Sequence, residues 1–189
     1  MAAIGRHFRI LRLPGGNDRR PAALVRAEAP MQDILADIGH PTHLPFPVIA
    51  ARLAVAALLG AVIGFEREWQ NHPAGLRTHI LVCLAAALLA VLTIEIVHSP
   101  HFASQQGRFD PIRLIEAVTA GIAFLAAGLI IFDRGRVHGL TTGAGMWLAG
   151  AIGLAAGLGF WQVAALGAAL GLIILWLLHL AARKIDDDR

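Results

Sequence analysis

HILVCLAAALLAVLTIEIVH, residues 79–98, carries a single carboxylate, Glu95, in a run that is otherwise almost wholly aliphatic. About 20 such residues, rising 1.5 Å each, cross the hydrocarbon core of a bilayer. Working outward, comparable stretches recur at 48–65, 113–132, 139–157 and 160–182. The chain therefore reads as an all-α membrane protein, a five-helix transmembrane bundle over residues 48–182. Composition agrees, with 57% apolar residues and a mean hydropathy of +0.64 over 189 residues, well above a soluble domain.

The flanks read differently. Residues 1–47 lack a sustained apolar period, mix both signs of charge and contain Pro14-Gly15-Gly16 and Pro21, so a disordered tail is expected there. Residues 183–189 read as a charged C-terminal tail. Asp110-Pro111 is a helix start, an Asp to cap free amides and a Pro at the first helical position. Gly157-Leu158-Gly159-Phe160 is too short and uncharged to be more than a tight turn between the last two spans, with Trp161 at the interface.

Arginines in the short loops set the orientation. Arg67 and Arg77 precede the second span, Arg134 and Arg136 precede the fourth, and Arg183, Lys184 and Arg189 follow the fifth. Those ends are expected to be cytoplasmic and the N-terminus outside. Six arginines in the first thirty residues, Arg6 through Arg26, oppose that orientation. The opposition vanishes if translation starts at Met31, because residues 31–51 contain no Arg or Lys.

Enzyme chemistry finds no foothold. The chain has no HExxH, GxSxG, P-loop or strand-linked GxGxxG pattern, and its only serines, Ser99 and Ser104, sit between spans. The single cysteine, Cys83, excludes an internal disulfide. His79 and Cys83, one helical turn apart, could share a face with Glu66 or Glu68 as metal ligands, but a thiol among Leu and Ala is more often a small packing residue. No catalytic residue, metal or cofactor is assigned, and the N-terminal arginines lack the aromatic interleaving of a nucleic-acid arm.

The candidate residues fall into two layers. One, at the cytoplasmic ends, holds Glu66, Arg67, Gly75, Arg77, Thr78 and His79 with Gly139, Thr141 and Thr142. Glu66 is expected to meet a partner and Arg77 to clasp the helices together, since a planar guanidinium suits carboxylates and helix-end carbonyls. The other layer holds Arg52, Glu95, Asp110, Arg113 and Glu116. A charge at bilayer depth costs on the order of 3 kcal/mol, so Arg52 is expected to pair with Glu95 or Glu116, or else to snorkel. Glycines four apart, such as Gly60 and Gly64 or Gly153 and Gly157, let helices approach closely, within one chain or across a homodimer.

Two phrases taken together, Glu66 with Ala74 to Thr78, and Asp110 and Arg113 with Gly121, Phe124, Gly128 and Gly139 to Thr141, resemble the motifs of the MgtC/SapB family of bacterial inner-membrane proteins. The likeness covers roughly residues 50–180. It implies a five-span bundle with its N-terminus outside, adaptation to low magnesium or acid stress, a part in survival inside host cells, and restraint of the ATP synthase by membrane contact. Ala117, Ala123, Ala126 and His138 depart from the expected pattern. The chain also ends after span five, where virulence-type members continue into a soluble domain. The expected function is a non-enzymatic regulator that binds other membrane proteins; the alternative is a small magnesium-linked transporter or channel using Arg52, Glu95 and Glu116.

Overall fold

The computed structural model describes residues 34, 39, 41–99, 110–133 and 136–187. Residues 42–189 form one compact unit; the other, Met1–Pro41, contributes only Ile34, Gly39 and Pro41 to the described residues. The disordered tail and the start at Met31 therefore lie largely outside what is described.

In chain order the larger unit runs α1 (Phe46–Trp69), α2 (Leu76–His98), α3 (Pro111–Ala127), β1 (Ile131–Asp133), β2 (Arg136–His138), α4 (Leu140–Leu158) and α5 (Trp161–Asp187). α1, α2 and α4 are each long and apolar enough to cross a membrane, and the stretch Trp161–Leu177 of α5 is apolar as well. Large aliphatic and aromatic side chains cover the outside of the unit, among them Leu58, Leu81, Phe124 and Leu166. This is the arrangement of a protein solvated by lipid, in which helices pack through small residues rather than by hiding apolar surface.

α4 is the central element. Its apolar stretch is 61% buried, against 33% for α2 and 22% for α1, and it packs against all four other helices. The reason lies in its glycines. A side-chain carbon at Gly153 would lie 2.7 Å from Cys83 Cα, so α4 rests directly on the backbone of α2. Gly60 and Gly64 seat α1 on α2 in the same way, facing His79 and Leu76. The tight spacing of small residues thus serves packing within the chain. Cys83 is buried in that contact and its thiol donates to the Ala149 carbonyl at 2.8 Å.

Three boundaries carry the local chemistry. Asp110 caps α3, its carboxylate accepting from the Ile112 amide at 2.9 Å, with Pro111 opening the helix as expected. α4 ends in a Schellman turn: Gly159 adopts φ +91°, its amide donates to Ala156 at 3.0 Å and the Phe160 amide donates to Ala155 at 2.9 Å. Arg136–His138 pairs antiparallel with Ile131–Asp133, placing Ile131 opposite His138.

That hairpin corrects the third span, which the sequence carried to 132. The helix stops at Ala127, where Leu129 donates to Ala126 and Ile130 to Ala127, tightening the last turn before the chain extends into β1. Two other expectations shift. Phe46 and Pro47 belong to α1 rather than to a tail, and α5 continues through Asp187, so the charged end is helical for most of its length.

Candidate functional site

Among the described residues the buried polar side chains are Arg67, His79 and Thr142. They come from three helices, the last turn of α1 and the first turns of α2 and α4. Gly145 of α4 marks where they converge: a side-chain carbon there would lie 3.4 Å from His79 Nε2 and 4.0 Å from Arg67 Cδ. Thr142 precedes it by one turn on the same helix.

Arg67 is the anchor. It is 3% exposed, and its guanidinium meets Glu66 at two points, Nε to Oε2 at 2.7 Å and Nη2 to Oε1 at 3.3 Å. The Gln70 side-chain amide donates to the same carboxylate from one turn later. Glu66 is thus held by two donors of its own helix, the fork geometry that arginine supplies and lysine cannot. Glu68 reaches across the loop instead, accepting from the Leu76 amide at 2.7 Å. Gly75, at the cap position of α2, has no side chain to satisfy that amide, and Glu68 does so from the preceding helix.

His79 is fully buried, and its Nδ1 lies 2.9 Å from the Gly75 carbonyl. A carbonyl only accepts, so Nδ1 carries the hydrogen. Nε2 is buried with no hydrogen-bond partner among the described residues. The cluster therefore holds a satisfied ion pair beside an imidazole nitrogen that makes no hydrogen bond among the described residues. Among the described residues no group of three or more His, Cys, Asp or Glu is placed to hold a metal ion.

The remaining candidates of this layer separate. Arg77 is exposed and, unlike Arg67, has no polar partner among the described residues. The clasp expected at Arg77 is thus not formed among the described residues: position 77 faces out, while the buried guanidinium is that of Arg67, whose polar partner is Glu66 on its own helix. Thr78 is half-buried beside it, and Thr141 is exposed where Thr142 is buried. Gly139 adopts φ +84°, and a side chain there would strike the Leu129 carbonyl, so this position holds the hairpin against the start of α4. Gln70 and Gly145 were not singled out from sequence. The first is legible as the i+4 neighbour of Glu66; the second becomes meaningful only once α4 is laid across α1 and α2.

The other layer does not assemble as expected. Arg52 donates through Nη1 to the Gly157 carbonyl at 2.9 Å and lies against Gly159, capping the end of α4. Glu95 accepts from the His43 amide at 2.6 Å and the Leu44 amide at 2.9 Å, pinning the entrance to α1 against the end of α2. His43 stacks on His98 in the same corner, centroids 3.8 Å apart. Asp110, Arg113 and Glu116 line a separate open cavity of 590 Å³. The expected pairing of Arg52 with Glu95 or Glu116 is thus replaced by two backbone caps, Arg52 on a carbonyl at the end of α4 and Glu95 on the amides that precede α1. Arg52→Leu and Glu95→Gln should destabilise additively, within about 0.5 kcal/mol. A double-mutant cycle of stability in detergent checks this, and a coupling of about 1 kcal/mol or more would restore the pair.

Comparison with known proteins gives a consistent result. A family model described as the MgtC family matches residues 53–184. Protein SapB of Bacillus subtilis is 37% identical over 145 residues, which is 76% of this chain and 62% of that protein. Protein MgtC of Brucella abortus is 38% identical over 109 residues, 58% of this chain and 42% of that protein. Protein SrpB of Synechococcus elongatus is 38% identical over 113 residues, 56% and 60% of the two chains. The chain thus spans less than two thirds of the length of these relatives. No solved structure matches.

Proposed function

The chain belongs to the MgtC family, and from that premise we propose that it is a non-enzymatic regulator of the bacterial inner membrane that works by binding another membrane protein. In this reading all five helices span, the N-terminus is outside, and the setting is magnesium limitation or acid stress. The ATP synthase is the partner that the family resemblance implies.

The observation that carries the proposal is the outward face of α3. Val118, Ile122 and Ala126 bury one side of that helix, whereas Ala120, Ala123 and Ala127 are exposed beside Phe124, which is 81% exposed. A stripe of small residues around one large aromatic is what a second transmembrane helix needs for close approach, because van der Waals packing drives association where lipid removes the hydrophobic difference.

A photo-crosslinking residue at Ala123 in intact membranes should yield an adduct with another membrane protein in low magnesium, whereas one at Leu58 on α1 should yield lipid alone. Phe124→Ala should weaken capture by about ten-fold, the scale of an aromatic hot spot, at unchanged abundance. An adduct with a second copy of the chain would make α3 a homodimer face. No protein adduct, with ion flux in reconstituted vesicles, would replace the regulator by the transporter reading.

A further inference from the structure

The side of α3 next to that face forms one wall of a different feature. Between α2 and α3 runs an apolar groove of 550 Å³, walled by Leu81, Ala85 and Leu89 on one side and Ala117, Gly121 and Leu125 on the other. Arg77 and Thr78 also line it, and they lie at the start of α2. We propose that this groove holds one anionic phospholipid, an acyl chain between α2 and α3 and its phosphate on Arg77 and Thr78.

The argument is one of polarity and length. Arg77 is exposed and without a counter-ion among the described residues, while the two nearby carboxylates are engaged, Glu66 by Arg67 and Glu68 by the Leu76 amide. It begins a long apolar helix, which puts it at the surface of the bilayer, where anionic phosphates lie and basic side chains are attracted to them. From Arg77 to Leu89 the groove follows α2 for about 18 Å. One leaflet of the hydrocarbon core is about 15 Å thick, half of the ~30 Å total. A single cation followed by one leaflet's depth of apolar wall fits a phospholipid end to end; a partner helix would cross both leaflets and would not require the cation.

Gly121 forms part of the wall without supporting it. A side-chain carbon there would have nothing within 4 Å, so the position is open space that a larger residue can fill without disturbing the helices. This separates occupancy from folding.

The test is native mass spectrometry of the protein exchanged into detergent with phosphatidylglycerol or phosphatidylcholine, alongside thermal stability. Wild type should retain phosphatidylglycerol in preference to phosphatidylcholine. Arg77→Ala should lower that retention about five-fold, the scale of one basic side chain at an anionic surface, whereas Arg77→Lys should keep most of it. Gly121→Leu should remove retention of either lipid while the melting temperature stays at the wild-type value. Equal retention of the two lipids, or Arg77→Ala and Gly121→Leu variants that both bind as wild type, would overturn the proposal. So would protection by inorganic phosphate equal to that by phosphatidylglycerol, or a crosslinker at Gly121 that captures a polypeptide instead of lipid. Capture at Ala123 is independent of these outcomes, because Ala123 lies outside the groove lining.

Discussion

Glu66→Gln should cost about 3 kcal/mol of stability, because it leaves Arg67, 3% exposed, as a buried charge without its counter-ion. Arg67→Ala should be comparably damaging, since it leaves the largely buried Glu66 carboxylate without its cation. Replacing both members by apolar residues of similar volume should recover much of the loss, as it does when neither charge is left alone. Arg77→Lys, by contrast, should change stability by less than about 0.5 kcal/mol, the usual range for an exposed side chain. Thermal unfolding of the four variants in one detergent measures this. If Glu66→Gln matched wild type while Arg77→Lys unfolded early, the clasp would lie at Arg77 after all.

Gly153→Ala should be strongly damaging, because the added methyl group would meet backbone on the neighbouring helix. The added carbon would sit 2.7 Å from Cys83 Cα and 2.8 Å from its carbonyl carbon, and neither can give way because both belong to the α2 backbone. The helices must separate, which loses the Cys83 thiol contact with Ala149 and costs about 3 kcal/mol, the upper part of the range for overpacking. Gly167→Ala is the control. There the new carbon would meet only Ile152 Cγ1 at an ordinary 3.5 Å, so alanine's better helix propensity should make it neutral or stabilising by up to about 1 kcal/mol. Equal melting temperatures for the two variants would mean that α4 does not rest on α2 at this point.

Much of the fold was legible because its elements depend on local chemistry. An unbroken aliphatic run, an Asp-Pro start and a Gly-x-Gly turn each impose a conformation whatever lies nearby, and the helices begin and end close to where those features put them. The β-hairpin was missed because only a few residues on each strand specify it, and Ile131 and Phe132 also continue an apolar helix pattern. The candidate site was legible in kind and less so in its partnerships. Burial distinguishes Arg67 from Arg77, and burial depends on how α4 crosses the other helices, which no local spacing encodes. Likewise a membrane arginine such as Arg52 needs an acceptor, but sequence points to carboxylates and says nothing of a helix end brought alongside, where the Gly157 carbonyl is the acceptor actually met.

The central place of α4 also bears on how the protein is made. The ribosome releases α1, α2 and α3 before α4 exists, yet each of the three packs against it. During synthesis α1 and α2 can already close on each other through Gly60 and Gly64, but the contacts that each of the three makes with α4, Gly153 on the α2 backbone among them, have nothing to close upon. Arg67 and His79 must wait in the half-built bundle for Gly145 to arrive. Assembly is therefore completed late, on the arrival of the fourth helix, and a chain interrupted before residue 140 would lack the element whose Gly145 closes over Arg67 and His79.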